Sequence, residues 1–112
     1  MTDLDAQDAK LIALARGSMA RIGAKEGAAV RDLDGRSYAA ARVKLPSLRL
    51  DALPLAVAQA VSGGAKGLEA AVVVTGHADA VVSLAVVRDV GGEGVPVYIT
   101  DLDGAVARVL TS

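Results

Sequence analysis

The sequence has no cysteine, tryptophan or phenylalanine, and its only aromatic side chains are Tyr38 and Tyr98. Without thiols it can form no disulfide, no thiolate nucleophile and no Cys-ligated metal centre. Neither sign of charge predominates. Twelve Lys and Arg against 13 Asp and Glu leave a formal charge of −1, and the charges are scattered singly. A nucleic-acid binder needs a basic footprint or an aromatic stacking platform, so that class is excluded. Gly, Asp or Arg interrupts every apolar run well short of the ~18 residues of a membrane span. The first ten residues, MTDLDAQDAK, are acidic and polar, unlike a secretory signal. The expectation is a cytoplasmic protein with no membrane partner.

What is present is small and apolar. Residues 1–112 suffice for a single domain with one core. Hydrophobic residues make up 53%, largely Ala and Val. A core built from such side chains packs by close approach of backbones, which favours tight α/β layers. The apolar content also exceeds what one small core hides, so subunit interfaces are expected.

Read in order, residues Asp5 to about Ile22 form a first helix, with Leu11, Ile12, Leu14, Ala15 and Met19 as its apolar stripe. Asp3, Asp5 and Asp8 suit the positive end of its dipole. Gly27–Arg31 and Ser37–Val43 read as strands joined by Asp32-Leu33-Asp34-Gly35-Arg36. A D-G pair between β segments is a hairpin signal. Thr100-Asp101-Leu102-Asp103-Gly104 repeats the device between Val95–Thr100 and Val106–Leu110. Both copies lack the other ligands of a calcium loop, so both read as plain turns. Ser62 to Gly67 is glycine-rich but follows a helix and precedes a strand, the reverse of a phosphate-binding loop. Leu68–Thr75 reads as a buried central strand. A third helix is expected over about Ala80–Val90, with Val81, Leu84 and Val86 or Val87 inward.

The stretch Leu45 to Val61, LPSLRLDALPLAVAQAV, reads as a loop turning into a buried helix. Pro54 is tolerated only in a first helical turn, which places the start near Asp51 as N-cap. Leu50, Leu53, Val57 and Val61 then share a face, and Ala52, Ala56, Ala58 and Ala60 permit close packing. The resulting order is α-β-β-α-β-α-β-β, one mixed five-stranded sheet with helices on its faces.

Three segments carry a resemblance to a known family: DGRSYAAARVKLPSLRLDAL, ALPLAVAQAVSGGAKGLEAAVVV and VPVYITDLDGAVARV. In order and separation they resemble the cytidine deaminase family over almost the whole chain. The resemblance implies a three-layer α/β/α fold and a homo-oligomer, tetramer before dimer. The family holds zinc with one Cys or His at a helix start and two Cys from P-C-x-x-C at the next. A glutamate two residues past the first ligand moves protons. Here those first two positions resemble Asp51 and Leu53. The P-C-x-x-C region falls around His77 to Val82 and holds no cysteine. The ribose-contacting N-x-E resembles Arg42-Val43-Lys44.

The pocket-lining set implied by the resemblance is therefore Arg42, Lys44, Asp51, Leu53, His77 and Asp79. None is assigned a catalytic role, and these residues do not support the family's zinc. The leading expectation is a non-catalytic, oligomeric binding or interaction module. An alternative is a metal-dependent deaminase or hydrolase using Asp51, His77 and Asp79 as an Asp/His/Asp metal set. A further alternative is a nucleotide-binding regulatory module, in which Lys44 and Arg49 meet a phosphate where the family meets a sugar hydroxyl. The partner would then be a nucleoside, a nucleotide or a protein.

Overall fold

In the computed structural model, which describes residues 4–77 and 81–112, α1 (Ala6–Ile22) lies across one face of the sheet. The Asp5 carboxylate caps it by accepting the Asp8 N–H at 2.9 Å. Leu11, Ile12, Ala15 and Met19 are buried against Ala29, Ala70, Val72 and Val74, while Leu14 stays exposed beside the stripe. At Gly27 a Cβ would lie 2.5 Å from the Ala15 carbonyl oxygen and from Met19 Cγ. The helix can cross the strand that holds Gly27 this closely only over glycine.

The sheet runs β2-β1-β5-β6-β7: β1 (Glu26–Asp32), β2 (Ser37–Ala41), β5 (Leu68–Thr75), β6 (Pro96–Thr100) and β7 (Val106–Thr111). Only β5 and β6 are parallel. Alternation along β5 sends Ala70, Val72 and Val74 toward α1, and Ala71 and Val73 toward the opposite face. There α2 (Ala52–Ser62) and α3 (Ala85–Gly91) pack on Ala28, Val30, Val97 and Ile99. The result is the expected mixed five-stranded sheet between helical layers.

Three details differ from the sequence reading. The strand expected to reach Val43 ends at Ala41, and the expected loop at Leu45 is a ribbon of β3 (Val43–Leu45) and β4 (Leu48–Leu50). Pro46 and Ser47 form its two-residue turn, so the element order gains two short strands. The third helix begins at Ala85. Residues 78–80, within its expected first turn, lie outside the described residues, and Val81 is 99% exposed rather than inward. β-Branched Val81 and Val82 lose side-chain freedom in a helix and are poor helix formers. Finally, α2 buries Ala52, Leu53, Ala56, Val57 and Ala60 but leaves Val61 exposed.

Both Asp-x-Asp-Gly segments are turns. The Asp32 Oδ1 accepts the N–H groups of Asp34 and Arg36, each at 2.9 Å, and the Asp101 Oδ1 accepts those of Asp103 and Ala105, each at 3.0 Å. Gly35 and Gly104 close them at φ 85° and 92°.

Candidate functional site

The antiparallel pairing of β1 with β5 puts Glu26, at the start of β1, beside Thr75, at the carboxyl end of β5. The amino end of α2 and the β3–β4 ribbon reach this same edge, which is where open α/β sheets place their ligands. A narrow cavity of about 90 Å³ lies there, lined by Glu26, Arg42, Asp51, Leu53, Pro54, Val73 and Val81 to Ser83.

Its polar side is an ion network. The β1–β2 ladder pairs Gly27 with Ala41, and one step further the Arg42 N–H donates to the Glu26 carbonyl at 3.0 Å. The side chains follow, with Arg42 Nη2 donating to Glu26 Oε2 at 2.8 Å. Arg42 Nε stands 3.3 Å from Asp51 Oδ1. The other Glu26 oxygen, Oε1, accepts the Ala52 N–H at 3.4 Å. Asp51 thus has the extended backbone of an N-cap, but its side chain caps nothing. It turns to Arg42, and a glutamate 26 residues away in sequence occupies the helix terminus, where a negative charge is favourable.

These residues do not fit a zinc centre. A guanidinium already compensates the two carboxylates, and a dication would meet both it and the positive end of α2. Leu53 is 3% exposed, packed into the core with Ala28 and Val57, and carries no proton. Among the described residues no three His, Cys, Asp or Glu side chains come together as metal ligands.

The other expected residues separate. His77 is exposed and opens onto a different depression of about 620 Å³, with Arg16, Met19, Lys25 and Leu102. Its N–H donates to Thr75 Oγ1 at 3.2 Å. Lys44 lies on the ribbon between two further depressions. Asp79 lies outside the described residues.

Glu26 is the residue that the sequence reading missed. The signal was present, since a D-G turn fixes the register of its hairpin, and that register puts Glu26 opposite Arg42. Also missed was a second ionic cluster under α1. Arg31 Nη2 lies 2.9 Å from Asp8 Oδ1, Arg31 Nε donates to Glu69 Oε2 at 2.8 Å, and the Tyr98 hydroxyl donates to Asp8 Oδ2 at 3.0 Å. Burial alone would lower the Arg31 pKa, but its bonds to Glu69 and Asp8 outweigh that and hold it above the ordinary value. This cluster fastens α1 to the sheet.

The arrangement defines a class: a deaminase-type α/β/α layer fold whose ligand edge holds an ion network. A cytidine deaminase-like family model matches residues 4–104, and the chain belongs to that family. Two solved structures share the fold. The cytidine deaminase from Burkholderia pseudomallei superimposes with a TM-score of 0.76 at 23% identity, covering 91% of this chain and 90% of that one. The cytidine deaminase from Mycobacterium leprae gives 0.59 at 19% identity, covering 97% and 94%. No curated protein matches this chain.

Proposed function

We propose that this protein keeps the cytidine deaminase-like fold without deaminating, and serves as an oligomeric binding module. The observation that carries the reading is the Glu26–Arg42–Asp51 network, which stands at the amino end of α2 beside buried Leu53. By resemblance the first metal ligand would fall at Asp51 and the proton-shuttling glutamate at Leu53. Deamination needs an activated water and a proton carrier at that point. The two carboxylates at that point, Glu26 and Asp51, are both held by the Arg42 guanidinium, which itself has no acceptor and does not release its proton in the working pH range.

Self-association is supported by exposed apolar side chains, among them Ile22, Leu45, Leu48 and Val61. The family resemblance favours a tetramer over a dimer. Ammonia release from cytidine and deoxycytidine by purified protein tests the first half, and no release above buffer is expected. Turnover that is lost on Asp51→Ala would defeat it. Multi-angle light scattering tests the second half, and a monomer of 11.2 kDa at micromolar concentration would defeat that.

A further inference from the structure

The β3–β4 ribbon carries two cations where sheet chemistry disfavours them. Its register pairs Lys44 directly with Arg49, so both side chains leave the same face, and Val43–Leu50 and Leu45–Leu48 occupy the other. Directly opposed residues on one face stand with Cβ atoms about 5 Å apart, and like charges there repel. Neither Lys44 nor Arg49 has an ion-pair or hydrogen-bond partner among the described residues.

The two cations line one depression of about 460 Å³ together with Arg42, Val43, Leu50 and Asp51. Lys44 also lines a neighbouring one of about 430 Å³ with Lys25, Arg42, Ile22, Val43 and Leu45. Among these linings Asp51 is the one acid, and it is turned to Arg42, which Glu26 also holds. Four cations (Lys25, Arg42, Lys44, Arg49) against two carboxylates (Glu26, Asp51) leave a local excess of two positive charges. The protein as a whole carries −1, so this edge is set apart from the rest of its surface.

We infer that Lys44 and Arg49 form a binding site for a phosphomonoester, with the phosphate between them and the organic body in the depression they share with Arg42. A phosphomonoester carries about −1.5 to −2 charge at pH 7, enough to neutralise the excess, and its oxygens accept from a guanidinium fork and an ammonium at once. Neither depression is lined by an aromatic side chain, so recognition rests on the phosphate and not on stacking of a base. The inference rests on the reading of this protein as a binding module. Ammonia release, measured in the same samples, reports on that reading separately.

Calorimetric titration with ribose 5-phosphate, cytidine monophosphate, inorganic phosphate and cytidine tests the site. The two phosphomonoesters are expected to bind within a few-fold of each other, and at least tenfold tighter than cytidine. Inorganic phosphate is expected to compete with both. Lys44→Gln/Arg49→Gln should weaken both phosphomonoesters at least tenfold. Its unliganded melting temperature should be equal to or above that of the wild type, because the repulsion is gone. Three results would overturn the inference: cytidine binding as tightly as its monophosphate, the double variant binding phosphomonoesters unchanged, or no phosphomonoester binding at millimolar concentration. If only the cytidine monophosphate binds, the base and not the phosphate is being read, and the inference fails likewise.

Discussion

Glu26 and Arg42 face each other one step beyond the last paired residues of the β1–β2 ladder, joined through both backbone and side chains. The Glu26 side chain is 12% exposed and that of Asp51 is 70% exposed, so the two carboxylates on Arg42 are unequal. Glu26→Gln leaves a half-buried guanidinium short of its charge and weakens the cap on α2. It is expected to cost about 1–3 kcal/mol in denaturant unfolding. Asp51→Asn touches only a screened surface contact and should cost under about 1 kcal/mol. A larger loss at Asp51 than at Glu26 would contradict this ranking.

The same network makes a prediction about metal. Protein purified without chelator is expected to hold less than about a tenth of an equivalent of zinc, iron or manganese, since functional sites bind tightly. Near-stoichiometric metal, lost in Asp51→Ala and in His77→Ala, would instead establish the Asp/His/Asp set.

The elements that sequence made legible are those with a strong local period or a turn that sets register. Leu11, Ile12, Ala15 and Met19 repeat at helical spacing, and the near-continuous apolar run at Leu68–Thr75 needs no partner to be recognised. Val61 falls outside the buried face because eight residues past Leu53 the helix has turned ~80° off the buried direction, whereas Ala60, at seven, stays within it. The ribbon was invisible, since strands of three residues have no measurable period. The Asp8–Tyr98 bond spans 90 residues, and no local pattern announces such a pair.

The two Asp-x-Asp-Gly turns share a geometry but not a setting. Asp32 is buried and also accepts the Tyr38 hydroxyl at 3.0 Å, whereas Asp101 is exposed. Burial would raise the Asp32 pKa, but bonds from the Arg36 N–H, the Tyr38 hydroxyl and the Asp34 N–H outweigh it and hold it below the ordinary carboxylate value. A depressed folded pKa means the contribution to stability is present above the unfolded value, near 4, and is lost as pH falls through the folded one. Asp32→Asn is therefore expected to flatten the decline in stability below about pH 4, followed by urea midpoints.

Tyr98 supplies the opposite limb. Burial raises its pKa first, and the hydrogen bond to Asp8 and the charges of Asp8 and Asp5 raise it further, against a smaller lowering by Arg31. A phenol with a raised folded pKa binds its proton more tightly when folded. Its contribution is fully present below the unfolded value, near 10, and fades as pH rises through the folded one. In Tyr38→Phe, Tyr98 is the one tyrosine left, so absorbance at the phenolate band reports on it alone. The midpoint is expected above pH 10, and Asp8→Asn in that background should bring it down by removing the nearest negative charge. The drop should come with lower stability at neutral pH, because Arg31 then keeps only Glu69. An unshifted midpoint in Tyr38→Phe, or one that Asp8→Asn leaves in place, would show that Asp8 does not hold the Tyr98 proton and that the clamp beneath α1 is built otherwise.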